Sequence, residues 1–525
     1  MMNLKTATGD SKSIQSGLRP TVEGENIGTK TSGLTEIWHR VSSILGVELQ
    51  GSDPAPVEHK TDRRYLKLFT LWFSMNFNLI SISTGMSGTI SFGLGFRDAA
   101  LVIVFFGLLT SFSAPFMCIF GARLGLRQMI HARYAFGIYG SAIPLVLNMC
   151  TLAGYGILGS ILGGQTLSAI NKDALSIDGG IVIIALINLV LIFLGAKWIH
   201  RFDLFAWIPT LIAIIVAVGC GGKHMHKQVD APGASVTAVF SFAAVIAGFF
   251  LPWSAIASDF TTYYDARSKK RAIFVPSYIG LSMSSIPLMI LGAAIGGAIA
   301  NVPSWQDGYD RGSVGGVLAA MLESTGRFGK FLLVLLALSP LGNVAGSVYA
   351  LSLNFQALLY LARIRIPRVV YTLIITAVII PIAIKVAAEF MDSLSNFLGI
   401  IGYWPSSFVA IIVLEHFVFR KGLVANYNVE DWNNRKALPA GVAALGAAFL
   451  SFGLVIPCMA QVWFVGPIAQ HTGDLGFEIA LVFTGILFIS SEDSHGLLKA
   501  INWPFPDSDY QTYDHSQLGP TVPPF

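Results

Sequence analysis

Charge is what this chain has least of: Asp, Glu, Lys and Arg make up 12% of its 525 residues, against 54% hydrophobic residues. Soluble domains carry about a quarter charged residues, so this composition excludes an ordinary soluble globule. Cysteine is scarce too. Cys118, Cys150, Cys220 and Cys458 lie in or beside apolar runs without C-x-x-C spacing, which gives no disulfide or thiolate-metal framework and leaves packed free thiols. No N-x-S/T sequon, phosphate loop, zinc signature or nucleophile elbow occurs. No catalytic residue, metal ligand or organic cofactor is expected, and an enzyme has no support. The net charge of +4 is small and leaves no nucleic-acid footprint.

Apolar sequence is abundant. The mean hydropathy is +0.64, and runs of about 20 residues, each able to cross a ~30 Å hydrocarbon core as a helix, recur along the chain. Twelve spans are read, at 68–95, 99–121, 135–168, 178–196, 202–221, 237–257, 273–300, 328–361, 368–388, 394–418, 437–460 and 475–492. The start of the chain lacks a charged-then-apolar pattern, so no cleaved signal peptide is expected. Lys and Arg in short loops bias those loops to the cytoplasm. Such residues gather after spans 2, 4, 6, 8 and 10, including Arg123, Arg127, Arg271, Arg363, Arg365 and Arg420, so both termini are expected inside. The resulting division is a cytoplasmic tail (1–67), a ten-helix core (68–418), a cytoplasmic loop (419–436), two additional helices (437–495) and a second cytoplasmic tail (496–525).

Backbone polar groups in lipid must be satisfied, so a broken helix is tolerated only where it is buried in protein or lines a wet cavity. Two spans read as broken. Span 1, LWFSMNFNLISISTGMSGTISFG, carries Asn76, Asn78 and Ser81 at mid-depth, and Gly85 and Gly88 mark its expected break. Span 6, within AGFFLPWSAIASDFTTYY, sets Gly248, Pro252 and Trp253 at a similar depth. There the proline removes an intrahelical donor and the indole offers a flat face to a cavity. Taken singly, each feature also has a plain reading as a kink, an interface anchor, inter-helix glue or close packing. Their recurrence five spans apart favours an inverted-repeat transporter with its substrate at the breaks. Span 8 adds LALSPLGNVAGSVYALSLNFQ, where Asn343 offers the donor and acceptor that complement an amide-like heterocycle edge, and Gly346 is a further expected break.

Several stretches resemble the nucleobase:cation symporter family, in particular the fungal purine-cytosine permease branch with its vitamin B6 relatives. GARLGLRQMIHARYAFG at 121–137 is similar to the family's signature loop, and GVELQGSDPAP, FGLGFRDA and ASDFTTYY support it. The resemblance implies an all-α membrane protein of twelve transmembrane helices, with a five-plus-five inverted-repeat core, helices 1 and 6 broken, and two additional helices. It also implies proton-coupled uptake of a small nitrogen heterocycle, cytosine or a purine, by alternating access, with the plasma membrane as the expected location. By position it assigns substrate contacts to Ser81, Tyr155, Gly159, Trp253, Asn343 and Ser347. Span 3 departs from the family's pattern of a tryptophan followed four residues later by an asparagine, having Tyr155 and Gly159. Span 8 departs too, reading GNVAGS where the family reads like ANNxPN. Loss of amides, with volume expected to open at Gly159, points to an altered substrate such as vitamin B6 as the alternative.

Sodium-coupled relatives use adjacent hydroxyls on span 8. Here only Ser339 remains of them, so a proton is favoured over sodium as the coupling ion. Asp259, six residues beyond Trp253, is a candidate gate residue with a solvated helix-end carboxylate as its plain reading. The expected partners are a small heterocycle and the bilayer, with no nucleic acid. A channel lacks its filter loop here, and a non-transporting sensor on the same fold is the remoter alternative.

Overall fold

The computed structural model describes residues 54–500 apart from 172, 195 and 362–367. Most of GVELQGSDPAP, the bases Arg363 and Arg365, the amino tail to 53 and the carboxyl tail from 501 lie outside the described residues. Span 1 is two helices, α1 (Leu66–Asn76) and α2 (Leu79–Ile90), and span 2 is α3 (Phe96–Thr110) followed by α4 (Ser113–Leu124). Single helices follow for spans 3 to 7: α5 (Ala142–Ser168), α6 (Ile177–Leu194), α7 (Ala196–Gly221), α8 (Val236–Phe250) and α9 (Lys270–Gly296). Beyond an intervening helix α10 (Pro303–Leu322), span 8 is again divided, into α11 (Arg327–Leu338) and α12 (Leu341–Leu361). The remainder is α13 (Arg368–Val386), α14 (Phe390–Ile401), α15 (Tyr403–Leu414), α16 (Val442–Cys458) and α17 (Gly476–Ala500). A small hairpin, β1 (Ala460–Gln461) paired antiparallel with β2 (Phe464–Val465), joins the last two helices.

Among the described residues, seven helical stretches are long and apolar enough to cross a membrane, and four shorter helices are also apolar. Helix α9 packs along both α1 and α2, and α3 lies beside α8 and α9. A second group forms around α5, which packs on α6, α12 and α13. Helix α14 lies against α8, while α17 packs on both α15 and α16.

The breaks fall elsewhere than the glycines suggested. Span 1 opens at Phe77 and Asn78, the latter fully extended at φ −150° and ψ 178°. Asn78 Oδ1 accepts the Ile80 N–H at 2.8 Å while its Nδ2 donates to the Met75 carbonyl at 2.7 Å. One side chain thus caps the start of α2 and the end of α1, supplying partners that the interrupted ladder lacks. Gly85 and Gly88 lie inside α2. A Cβ on Gly85 would sit 1.8 Å from the Met289 carbonyl oxygen, so this glycine lets α2 and α9 touch backbone to backbone. Gly88 meets the Phe242 ring in the same manner, at 2.6 Å.

Gly248 and Gly346 need the same correction. Gly248 is helical in α8, with Leu398 O 1.7 Å from its would-be Cβ, and Gly346 is helical in α12, against the Met75 methyl at 2.7 Å. Span 6 changes character just after Gly248, tightening into a 3-10 turn over Leu251–Ala255 that contains Pro252. It breaks at Ile256 (φ −132°, ψ −2°) and resumes as a second 3-10 turn, Ala257–Phe260. Span 8 parts at Ser339 and Pro340, between α11 and α12. The sequence had given no sign of α10: its charged first half is interrupted at Gly312 and Ser313, where non-helical dihedrals divide it. Cys150 is exposed rather than packed, while Cys118 and Cys458 are buried free thiols.

Candidate substrate site

The breaks of spans 1 and 6 are brought face to face by aromatic side chains. Trp72, one turn before the first break, meets Trp253 edge to face with ring centroids 5.7 Å apart. Tyr155 of α5 also packs on Trp253, at 6.1 Å and tilted by 33°, and Phe397 of α14 abuts Tyr155 edge-on at 5.6 Å. All four elements therefore converge through rings.

Tyr155 is also tied to the backbone. Its hydroxyl lies 2.9 Å from the Gly248 carbonyl and 3.1 Å from that of Phe249, so one O–H is shared between them. In a continuous α-helix the Gly248 carbonyl would accept from residue 252, but Pro252 has no N–H to give. Tyr155 takes over that role. Tyr155→Phe should keep the ring and leave a buried carbonyl unpaired, costing about 1–3 kcal/mol, and the purified variant should melt at a lower temperature than the wild type.

Span 8 serves the first break. Asn343 Nδ2 donates to Met75 O at 3.1 Å, and Ser339 Oγ accepts the Leu79 N–H at 3.3 Å. Ser81 spans the gap as well, its hydroxyl donating to Asn76 O at 2.7 Å. Four buried atoms then find no partner among the described residues: Asn76 Oδ1, Trp253 Nε1, Asn343 Oδ1 and Ser347 Oγ. One is an obligate donor, two are acceptors and the hydroxyl is both, the set that a heterocycle edge with N–H and C=O groups would satisfy. Buried polar groups are normally paired, so these four are candidates to meet a ligand.

Tyr155, Trp253, Asn343 and Ser81 are thus joined by contacts at the breaks, and Ser347 follows Asn343 one turn along α12. Gly159 is different: it borders no open volume, because a Cβ there would lie 2.2 Å from Val344 Cγ2. Two of the departures from the family pattern, at 159 and 344, meet in space, the Val344 methyl occupying the place a Cβ at 159 would take. Sequence reasoning missed Trp72 and Phe397. The only hint of Trp72 was its i, i+4 spacing to Asn76, and nothing near Phe397 set it apart from other apolar positions.

Asp259 stands apart from this cluster. Its Oδ1 accepts the Gln128 N–H at 2.7 Å, and Ser258 Oγ lies 2.5 Å from Gln128 Oε1 and 2.8 Å from Met117 O. The stretches GARLGLRQMIHARYAFG and ASDFTTYY are therefore two sides of one contact. Thr261 extends it by donating to Cys118 O at 2.7 Å. Next to it, the rings of His131 and His416 both pack on Phe120, at 4.5 and 4.9 Å. Burial pushes the His131 imidazole down to about 3, so it is neutral there.

Apolar helices broken inside the bundle, with unpaired polar atoms and aromatic rings at the breaks, define a multi-pass membrane transporter. Residues 54–479 match the model of a family described as permeases for cytosine/purines, uracil, thiamine and allantoin. The chain belongs to that family; it is a permease and not an enzyme. It is 34% identical over 474 residues to the purine-cytosine permease fcyB of Emericella nidulans, covering 89% of this chain and 92% of that one. It is 25% identical to the vitamin B6 transporter TPN1 of Saccharomyces cerevisiae over 85% of this chain and 86% of that one. Among solved structures, the fold is similar to Mhp1, a nucleobase-cation-symport-1 family transporter in a closed conformation with bromovinylhydantoin bound. The TM-score is 0.64 at 15% identity, covering 86% of this chain and 96% of that one.

Proposed function

We propose that this permease is a proton-coupled symporter that takes up cytosine or a purine across the plasma membrane by alternating access. The observation that carries the reading is the Tyr155–Trp253 ring pair beside the unpaired atoms of Asn76, Asn343 and Ser347. Aromatic faces hold a planar ring without regard to its edge, and the amide and hydroxyl groups then select the edge.

The proposed architecture has twelve transmembrane helices: a five-plus-five inverted-repeat core at 68–418 and two further helices at 437–495. A cytoplasmic loop, 419–436, separates them, and both tails are cytoplasmic. The packing supports the repeat, since its pairs map onto one another when shifted by five spans. Span 1 on span 7 answers to span 6 on span 2, and span 5 on span 1 to span 10 on span 6. The continuous apolar stretch Val370–Phe419 accounts for two spans. A proton is preferred to sodium because Ser339, what remains of the adjacent hydroxyls that sodium-coupled relatives use, already accepts the Leu79 N–H. Asp259, held to the loop after span 2, is the proposed inner gate residue.

A second substrate reading, vitamin B6, rests on the Gly159–Val344 contact, which replaces amides by an apolar wall. Gly159→Asn alone is expected to lower the amount of protein at the surface, because the new side chain meets Val344. Gly159→Asn with Val344→Ala makes room, and should shift preference towards cytosine relative to pyridoxine in competition assays.

The deciding experiment is uptake of labelled cytosine, adenine, hypoxanthine and pyridoxine by yeast lacking its own permeases, at acidic and neutral external pH, with and without a protonophore. Nucleobase uptake abolished by the protonophore is the expected result. Pyridoxine uptake alone would favour the second reading. Binding without exchange across a sealed membrane would mean a sensor.

A further inference from the structure

Two stretches of chain that are far apart in sequence are held together where α1 and α9 begin. The Asp62 N–H donates to the Tyr263 carbonyl at 3.2 Å, and the Asp62 carbonyl accepts the Asp265 N–H at 3.0 Å, a short parallel pairing. The rings of Tyr65 and Tyr264 stack with centroids 6.3 Å apart, and the Tyr65 hydroxyl donates to Ser268 Oγ at 2.9 Å. Residues 62–67 and 264–271 therefore form one surface, from which α1 and α9 run on side by side.

That surface is strongly cationic. Seven Lys and Arg residues stand in the two stretches against two acids, Asp62 and Asp265. Both acids are already engaged: Asp62 by Arg64 at 2.7 Å and Lys67 at 3.3 Å, and Asp265 by Arg63 Nε at 2.6 Å. Lys269, Lys270 and Arg271 follow one another, are exposed, and make no ion pair or hydrogen bond through their side chains among the described residues. Like charges crowded in this way repel one another, and neither stretch holds a further acid to offset them.

The depth of the surface is set by α9. Val275 and Ile279 follow Arg271 by four and eight residues, and both are exposed, at 45% and 39%. Residues four apart on a helix share a flank, so the flank that turns apolar side chains to the hydrocarbon ends in Arg271. Leu66 and Tyr263 are exposed beside the bases, at 74% and 42%. Apolar and aromatic side chains next to exposed cations suit the headgroup layer of a bilayer. We infer that residues 62–67 and 264–271 form a docking surface for the anionic headgroups of phospholipids in the adjoining leaflet, which is the cytoplasmic one in the orientation proposed above. The phosphate and carboxylate oxygens of such a headgroup supply Lys269, Lys270 and Arg271 with the counter-charge that the chain does not. Each base beside an anionic lipid surface adds roughly fivefold to binding.

Titration of the purified full-length protein with phosphatidylserine and with phosphatidylcholine, each bound lipid resolved by native mass spectrometry, tests the surface. For the first lipid bound, the wild type should prefer phosphatidylserine by about tenfold or more. Lys269→Gln combined with Lys270→Gln and Arg271→Gln should lose most of that preference, and Lys269→Arg combined with Lys270→Arg and Arg271→Lys should keep it. An unchanged preference in the glutamine variant, or no preference in the wild type, would overturn the inference. The wild type also gives a judgement that needs no variant to fold. Its preference should shrink as ammonium acetate is raised, because salt screens exposed charges, and a preference indifferent to salt would reject the surface. Displacement of the lipid by inorganic phosphate would mean a site for a free anion and would reject it too. Neither cargo nor coupling ion enters these measurements, so they judge the surface even if the uptake reading fails.

Discussion

Trp253→Ala should abolish measurable uptake while the protein still reaches the cell surface. The indole is buried in contact with Trp72 and Tyr155, and its Nε1–H has no partner among the described residues. Stacking of a base on an aromatic ring is worth about 1–3 kcal/mol, roughly 5- to 150-fold in affinity. In the proposed site the truncation removes this together with the indole donor. Trp253→Phe separates the two contributions: it keeps a face for stacking and loses only the N–H, so affinity should fall by about fivefold to tenfold, the value of one hydrogen bond of ~1–1.5 kcal/mol. Normal uptake by the alanine variant, verified at the surface by quantitative labelling, would remove Trp253 from the site.

The second large effect is expected at Gly85. Were it a flexing break, alanine there would cost or gain no more than about 1 kcal/mol, and the protein would remain abundant. The structure instead puts the added carbon 1.8 Å from Met289 O, while Gly292 of α9 meets Ile82 O at 1.9 Å in return. Neither atom is the end of a flexible side chain. The helices must separate, and because α9 follows both α1 and α2 the shift spreads along the whole broken span. Overpacking a tight contact costs about 1–3 kcal/mol and occasionally more. Gly85→Ala should therefore strip the protein from the membrane fraction. Gly446→Ala, at a helical glycine with nothing within 4 Å of its would-be Cβ, is the control expected to behave as wild type.

These cases show what could be read from the chain in advance. Apolar runs mark where the helices lie, because crossing hydrocarbon demands them whatever the packing, and so α5, α8, α9 and α16 fall close to the expected positions. The break of span 6 was legible through Pro252, whose missing donor is a local fact. The break of span 1 was misread: a mid-helix glycine signals either an opening or a close neighbour, and only the position of α9 decides between them. The contact of Gly159 with Val344 was beyond reach, since the two positions share no local pattern and meet only when α5 and α12 pack. Asn343 was selected for its amide. That one of its amide donors is spent on the Met75 carbonyl, while its oxygen finds no partner among the described residues, is a consequence of tertiary structure.

The hydroxyl of Tyr155 fastens the backbone that carries Trp253, and its ring packs on that indole, the wall of the proposed site. Position 155 is therefore poorly placed for tuning selectivity: most replacements that would reshape the pocket also unpin the end of α8. A lineage, or an engineer, seeking a new cargo has the freer route at 159 and 344, where two apolar surfaces trade volume without touching the fastening.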